Sequence, residues 1–371
     1  MTRVLVATDK FKGSCDAAGA GAAVAAGVRG LRGEAVVDNC PVADGGDGTV
    51  AAAVAAGYTR VPVLATGPTN EQVWTSYARY GELAVVELAD VSGLARLPGD
   101  KPAPMAATSR GTGEVIAAAV DAGCTRIALG VGGSACTDGG AGMVRALGAR
   151  LLDGDGVAIA EGGAGLSTLT SLDTTALRQR LDGVDVVLAC DVDNPLTGPN
   201  GAAAVYGPQK GADSAQVASL DEGLQRMAGV VTTITGVDHR DAPGSGAAGG
   251  VGFAALALLG ARLRSGIQLV LELVGFHDRL HGTRLVITGE GSLDAQTLRG
   301  KAPAGVAAAV HGDTPVVAVC GHNTLAPDRL RSAGIAMAYP LSELEPDTAV
   351  SMRDAPVLLE RIGARIAREH L

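Results

Sequence analysis

Carboxylates set between glycines are the residues of this chain best suited to chemistry. They occur in the segments 44–48 (DGGDG), 138–140 (DGG) and 289–291 (GEG), and Asp294 follows the last of these. Glycine lets backbone approach a ligand closely, and a neighbouring acid can hold a cation or accept a proton. Any one segment could be an ordinary surface turn, because Asp-Gly is common turn chemistry. Together, separated by apolar strand-like runs, they favour an enzyme that binds a polyanion with a cation.

A pair of carboxylates, Asp191 and Asp193, follows the apolar run 186–189. Alternate residues of extended backbone face the same way, so this pair suits metal coordination or general-base chemistry. The structural alternative is an Asn-Pro turn at 194–195 that Asp193 caps.

Lysine is rare: five of the thirty basic residues are Lys and the others are Arg. Lys10, Lys12, Lys210 and Lys301 lie in glycine-containing segments, whereas Lys101 lies in a proline-rich loop. A compact ammonium fits a tight phosphate or carboxylate site better than a guanidinium does. Solvated loop positions are the alternative for each lysine taken singly.

Two further segments indicate anion binding. Gly132, Gly133 and Ser134 open a glycine-rich turn that follows the strand-like run 127–131 and precedes a predicted helix through Leu147. Strand, glycine turn and helix together can cradle a phosphate. Arg110 lies at the predicted start of another helix. The chain contains neither a P-loop nor a dinucleotide-binding glycine pattern after its first strand, so NAD is unsupported.

Composition limits the class of protein. The 371 residues are 47% hydrophobic and suggest two globular domains. A net charge of -9 and a pI near 5.2 argue against nucleic acid and anionic membranes as partners. The six cysteines form no Cys-x-x-Cys pair, which fits a reduced, cytoplasmic protein. No segment predicts a signal peptide or a confident membrane span.

Both ends of the chain alternate strand and helix. Strands are predicted at 4–8, 35–40, 284–288, 316–320 and 335–338, with Ser14 capping the first helix. An antiparallel meander is predicted at 59–88. We therefore expect a wound domain from 1–66 and 284–371 that is interrupted by an inserted α/β domain at 67–283. Turns after parallel strands share one edge, so 9–12, 44–48, 289–294 and 321–323 should converge there.

The motifs resemble, in order and spacing, those of the bacterial glycerate kinase family. The matching segments are 9–14, 41–49, 108–114, 132–142, 190–196, 207–212 and 287–294. This chain departs from the family pattern at Lys10, Thr137 and Ser292, where Ser, Asn and Arg are usual. The resemblance implies a discontinuous flavodoxin-like parallel-sheet domain with a large inserted α/β domain of restriction-endonuclease-like type. It also implies ATP- and Mg²⁺-dependent phosphorylation of d-glycerate at the 2-hydroxyl, giving 2-phosphoglycerate, with 3-phosphoglycerate as the alternative product.

With that activity as the premise, roles can be assigned. Asp191 would accept the hydroxyl proton and Lys12 would neutralise the transferring phosphoryl group. The remaining assignments are Arg110, Lys210 and Asp193 for glycerate, Gly132, Gly133, Ser134, Gly289 and Gly291 for nucleotide phosphates, and Asp44, Asp47, Glu290 and Asp294 for Mg²⁺.

Two other classes stay open at this stage. A Mg²⁺-dependent phosphohydrolase of a small phosphate ester would need the same acids and glycines. A non-catalytic sensor of small acids is the third, which the carboxylates of the predicted insertion disfavour. Assembly into a homo-oligomer is also open.

Overall fold

The computed structural model describes residues 2–371, apart from the side chain of Arg299, so residue 1 of the predicted first domain lies outside it. The chain forms a mixed α/β protein with parallel sheets. Its strands are β1 (Arg3–Thr8), β2 (Val36–Asn39), β3 (Thr59–Thr66), β4 (Gln72–Tyr80), β5 (Leu83–Glu87), β6 (Arg126–Gly130), β7 (Arg150–Leu152), β8 (Ser171–Asp173), β9 (Asp185–Ala189), β10 (Arg262–Arg264), β11 (Thr283–Leu293), β12 (Val316–Asn323) and β13 (Met337–Pro340).

The α-helices are α1 (Ala17–Leu31), α2 (Thr49–Ala55), α3 (Ala89–Ser92), α4 (Arg110–Asp121), α5 (Ala141–Ala146), α6 (Thr175–Arg180), α7 (Ala202–Tyr206), α8 (Ser214–Thr235), α9 (Val251–Leu258), α10 (Gly266–Leu273), α11 (Phe276–Arg279), α12 (Ala302–Ala309), α13 (Pro327–Ser332), α14 (Thr348–Arg353) and α15 (Ala355–His370). Within residues 2–371, no helix has both the length and the apolar character needed to cross a membrane.

The chain divides into two compact units. The first comprises the chain up to Asp44, Ala51–Gly57 and Ser265–Leu371, and the second comprises Gly45–Val50 and Tyr58–Arg264. The expected limits at 66/67 and 283/284 differ from this division. The strand β3 pairs along its whole length with β4, which places it in the second unit. Ile267 and Val270 of α10 pack in an apolar cluster with Val306 of α12, which places α10 in the first.

The first unit is built on a parallel sheet with the strand order β13-β12-β11-β1-β2. Its strands are apolar because both faces are covered. Val4 and Val6 pack in the cluster that contains α1 and α15, whereas Leu5 and Ala7 pack in the cluster that contains α10 and α12. Alternate residues of one strand thus serve two cores.

Two predicted turns of this unit are strand. Residues 289–293 belong to β11 and residues 321–323 to β12, and Ser292 pairs with His322. Each extension supplies hydrogen-bond partners to the other. The sequence of either segment taken alone therefore does not predict that it is strand. The cap of α1 also differs from the prediction: Asp16, not Ser14, accepts the amide of Gly19 at 2.7 Å.

The second unit contains a mixed sheet with the order β10-β9-β6-β5-β4-β3 and a small antiparallel pair, β7-β8. The strands β3, β4 and β5 are antiparallel neighbours, which confirms the predicted meander. From β5 to β10 the pairing is parallel. Glu87, Gly130 and Ala189 are in register at the carboxyl ends of β5, β6 and β9, and this edge carries several of the predicted site residues.

Candidate active site

A pocket of about 620 Å³ lies in the first unit at the carboxyl edge of the parallel sheet. Its acidic lining residues are Asp9, Asp44, Glu290 and Glu345, and Lys10 and Lys12 line it from the segment after β1. The amide of Asp9 donates to the carbonyl of Gly289 at 2.8 Å, which fixes the start of this segment against β11. The carboxyl ends of parallel strands meet at one edge, so residues distant in sequence come together here.

Two acids of this pocket, Asp9 and Glu290, have a raised pKa. Asp9 is buried, and its carboxylate accepts the amide of Lys10 at 2.6 Å. Burial, followed by the negative charge of Asp44, raises the pKa of Asp9 to about 7, although Lys10 opposes the shift. Burial also raises the pKa of Glu290, whose Oε1 accepts the hydroxyl of Thr297 at 2.5 Å. A bound cation would relieve this repulsion.

The four residues predicted to bind metal have different surroundings. Asp44 and Glu290 line the pocket together with Asp9. Asp294 accepts the amides of Gln296 at 2.7 Å and Thr297 at 3.3 Å and so stabilises its own turn, and Asp47 is exposed in the second unit. In the described part of the chain, no group of three or more His, Cys, Asp and Glu residues is arranged to hold a metal ion. Mg²⁺ commonly takes one or two carboxylates plus substrate oxygens, which Asp44 and Glu290 fit.

The two glycines predicted at this edge differ in the space around them. A Cβ on Gly291 would lie 3.6 Å from the backbone nitrogen of Lys12, an ordinary contact distance, so this pocket-lining position has room for a small side chain beside the Lys12 segment. Gly289 is buried, and a Cβ there would lie 2.3 Å from the carbonyl oxygen of Val319. Close strand packing is therefore a sufficient reason for glycine at 289, and the predicted contact with a nucleotide phosphate stays a prediction.

In the second unit, the turn after β6 is held from inside by Lys210. This lysine is 2% exposed, and its Nζ donates to Oγ of Ser134 at 2.9 Å and to the carbonyl of Cys136 at 2.5 Å. Burial lowers the pKa of Lys210, while Cys136 and Asp138 oppose the shift. The arrangement argues against the predicted contact of Lys210 with a substrate carboxylate and of Ser134 with a phosphate. Gly132 and Gly133, in contrast, are exposed at the same turn.

Asp138 joins this turn to the start of α4. Its buried Oδ2 accepts both the amide and the hydroxyl of Ser109, each at 2.8 Å, and the amide of Gly142 at 3.2 Å. Oδ1 accepts the amide of Gly140 at 3.1 Å. Burial raises the pKa of Asp138, against the effect of these hydrogen bonds. The carboxylate therefore fixes the backbone next to Arg110.

Two carboxylates orient Arg110. Its Nε donates to Glu114 at 2.9 Å and its Nη1 to Glu161 at 3.1 Å, while Arg145 donates to the same Glu161 oxygen at 2.7 Å. Burial raises the pKa of Glu161, but the hydrogen bonds led by Arg145 outweigh it, so that the pKa is lowered overall. The side chain of Arg110 is 39% exposed, so its guanidinium is a fixed cation that a substrate carboxylate could reach.

The carboxyl edge of the second sheet brings several predicted residues together. Gly132 follows β6 and Asp191 follows β9, each two residues beyond the register pair Gly130 and Ala189. Asp191 and Asp193 are both exposed. The segment Gly45–Val50 packs at this edge, because a Cβ on Gly132 would lie 2.7 Å from Cα of Gly46.

Glu87, which the sequence reasoning missed, anchors that segment. It is buried at the end of β5 and accepts the amides of Gly48 and Val50, each at 3.0 Å. Burial raises its pKa to about 7, and the two backbone hydrogen bonds oppose the shift. The one feature of the sequence that could have identified Glu87 is a single acidic residue at the end of an apolar strand. Asp9, at the end of β1, carried the same signal and was not assigned a role.

Comparison with known proteins gives a consistent result. The model of the glycerate kinase family matches residues 4–371. A glycerate kinase of Bacillus subtilis (strain 168) is 46% identical, over 86% of this chain and 85% of its own length. A glycerate 2-kinase of Escherichia coli (strain K12) is 44% identical, over 87% and 86%. The crystal structure of a protein assigned as glycerate kinase 2, from Salmonella typhimurium LT2, matches with a TM-score of 0.85 and 40% identity, over 99% of this chain and 98% of the solved one.

Proposed function

The chain belongs to the glycerate kinase family, and we propose on that basis that it transfers the γ-phosphoryl group of ATP to d-glycerate, giving 2-phosphoglycerate. The observation that carries the proposal is the pocket of the first unit, where Asp9, Asp44 and Glu290 stand with Lys10 and Lys12. Phosphoryl transfer requires positioning of a polyanion and neutralisation of its charge, which this combination of acids and amines can supply.

The proposal extends to the fold. The strand order of the first unit, counted along its own chain, is 2-1-3-4-5, the order of flavodoxin-like doubly wound sheets. We take this unit as a flavodoxin-like domain and the second as a restriction-endonuclease-like insertion. In such sheets ligands bind where the strand order reverses, here between β1 and β11. Asp9 follows β1 and Glu290 lies on β11, which supports a ligand at this point.

The residues would act as follows. Asp191 accepts the proton of the glycerate hydroxyl, and exposure at the end of β9 keeps it accessible. Arg110, held by Glu114 and Glu161, binds the glycerate carboxylate, and Asp193 contacts its hydroxyls. Lys12 neutralises charge on the phosphoryl group.

Magnesium would be held by Asp44 and Glu290 of the first unit, and Asp47 stays a predicted ligand. Bound Mg²⁺ supplies positive charge to phosphate oxygens. Asp9 adds a carboxyl group to the pocket, and the hydrogen bond that it accepts from the Lys10 amide fixes the segment that presents Lys12. Exposed Gly132 and Gly133 offer backbone to nucleotide phosphates without a side chain in the way. A cytoplasmic location belongs to the same proposal.

The test is an ADP-release assay with ATP, Mg²⁺ and d-glycerate, and with controls that omit each component in turn. We expect ADP formation only in the complete mixture, and phosphorus NMR of the product should show 2-phosphoglycerate. Release of phosphate from a small phosphate ester without ATP would favour a phosphohydrolase and contradict the proposal. A 3-phosphoglycerate product would overturn the assigned position and leave the kinase assignment intact.

A further inference from the structure

The pocket of the first unit has a second wall that the proposed function does not use. This wall is the segment 341–352, which follows the edge strand β13 and includes α14. Its lining residues, none of which the sequence motifs singled out, include Ser342, Glu345, Thr348, Ser351 and Met352. A three-carbon hydroxy acid and its phosphate would leave most of a cavity of about 620 Å³ empty.

The two walls differ in charge. Lys10, Lys12 and Lys301 all line the pocket from the β1 and α12 side, together with the carboxyl groups proposed to hold Mg²⁺, so this side can bind phosphates through both amines and a cation. The segment 341–352 contributes three hydroxyl groups, three apolar residues that include Met352, and one carboxylate, but no cation to the lining. A ligand that matches both walls has a polyanionic end and an uncharged end that bears hydroxyl groups. A nucleoside phosphate has this distribution.

The extent of the pocket agrees with such a ligand. Its lining includes residues after β1, on β11 and β12, and after β13, which are consecutive strands of the sheet. Neighbouring strands lie about 4.8 Å apart, so the cavity follows the sheet edge for roughly 14 Å. A molecule with phosphates near β1 could therefore place its far end beside β13.

Met352 connects the two walls. Gly13, in the segment that carries Lys12, has a φ of +78°, and a Cβ there would lie 2.8 Å from Cε of Met352. The thioether thus lies over the lysine segment while the side chain remains 40% exposed. Methionine is polarizable and adapts to the edge or face of an aromatic ring. This matters in a chain with 2% aromatic residues, where few rings are available to stack on a base.

Glu345 is placed to read hydroxyl groups. Its Oε1 accepts the amide of Asp347 at 3.0 Å, which fixes the carboxylate at the pocket wall. Carboxylates commonly accept hydrogen bonds from ribose hydroxyls in nucleotide sites. Ser342 adds a hydroxyl to the same wall.

We infer that the segment 341–352 is the nucleoside-binding wall of the pocket, with Met352 against the base and Glu345 accepting the ribose hydroxyls. The inference rests on the proposed function, because it gives the phosphate donor a defined orientation along the sheet edge: phosphates toward β1 and nucleoside toward β13.

The test places a bulky side chain on the segment 341–352, where it projects into the pocket, and measures nucleotide affinity directly. Thr348→Trp places a large ring in the pocket from α14, and Ala349→Trp places the same ring on the neighbouring exposed position, which does not line the pocket. We expect calorimetric titration to show a Kd for ADP at least tenfold higher in Thr348→Trp and unchanged in Ala349→Trp. The KM for ATP should rise to a similar degree, while the KM for glycerate stays within twofold. Met352→Ala, a smaller change, should raise the Kd for ADP about threefold.

Inorganic tripolyphosphate separates the two walls, since it has phosphates and no nucleoside. Its Kd should be equal in wild type and Thr348→Trp, and an equal loss of tripolyphosphate and ADP binding would refute the assignment. Unchanged ADP affinity in both Thr348→Trp and Met352→Ala would also refute it, as would a wild-type protein that binds no ADP. A wild-type protein that binds ADP but does not phosphorylate glycerate would contradict the proposed function. In that case, a loss of ADP affinity in Thr348→Trp would still support the assignment of the segment 341–352 to nucleoside binding.

Discussion

Replacing Glu87 by Gln isolates the effect of a single buried carboxylate. Oε1 of Glu87 accepts the amide of Gly48 and Oε2 that of Val50. Burial, against these two hydrogen bonds, raises its pKa from 4.5 to about 7. Gln keeps the shape and one acceptor but does not titrate. The missing second acceptor destabilises the variant by about 1 kcal/mol at low pH, where Glu87 of the wild type is itself protonated.

The magnitude and sign follow from this shift. A pKa that rises from 4.5 to about 7 corresponds to roughly 3 kcal/mol, at 1.36 kcal/mol per pH unit. Between these values the folded protein binds the proton more strongly than the unfolded chain. The contribution to stability is therefore complete below pH 4.5 and decreases as the pH rises through about 7. We expect the unfolding free energy of Glu87→Gln relative to wild type to increase by roughly 3 kcal/mol from pH 4.5 to pH 8.

The assay is urea unfolding at several pH values and constant ionic strength, followed by far-ultraviolet circular dichroism. Fluorescence is less suitable, because Trp74, the one Trp in the sequence, is 67% exposed and its emission changes little on unfolding. Asp9, in the first unit, also has a raised pKa, but it is present in both proteins and cancels in the difference. If the two stability curves run parallel from pH 5 to pH 8, burial does not control the titration of Glu87, and the reasoning is refuted.

Two further predictions concern the carboxyl edge of the second sheet. Gly132→Ala should lower the free energy of unfolding by about 1–3 kcal/mol, because the new Cβ meets the backbone of Gly46. In the control Gly154→Ala the Cβ meets nothing within 4 Å, and the free energy of unfolding should change by less than about 1 kcal/mol. Thermal or urea midpoints measure both variants, and equal effects would show that the backbone of Gly46 moves to accommodate the methyl group. Asp191→Asn should reduce kcat at least a hundredfold with folding intact, since an amide cannot accept the proton. The control Asp182→Asn, at another exposed position, should keep the wild-type kcat. A kcat near the wild-type value in Asp191→Asn would show that Asp191 is not the base.

The regular elements were predictable where local sequence determines them. The apolar run at 4–8 predicts β1 because both faces of a parallel strand are buried, and the alternation at 59–88 predicts the meander. Pro356 lies in the first turn of α15, where proline is tolerated because the amide that it lacks has no partner within the helix. The extensions of β11 and β12 were missed, because each depends on a partner about thirty residues away.

Residues whose role depends on burial were the hardest to assign. The sequence identified Lys210 as unusual, but only the packing of the turn after β6 shows that its ammonium is used inside the protein. Glu87 carries no motif of its own, since its partners are backbone amides supplied by another segment. Asp138 lies in a predicted glycine turn, but the sequence does not show that its carboxylate is buried and bound to Ser109. Lys12, Asp44 and Glu290 were easier to find, because a strand end followed by a charged glycine segment marks the edge of a parallel sheet.

The pairing of β1 with β11 has a consequence for biosynthesis. Arg3 is in register with Thr283, so β1 pairs with a strand that is synthesised about 280 residues later. A ribosome releases β1 and β2 long before their partner exists, whereas all strands of the second unit have been made once Arg264 emerges. Until β11 has been made, the backbone N–H and C=O groups of β1 that face β11 in the folded protein have no strand partner. We expect chaperone dependence and premature-termination products to reveal this delay.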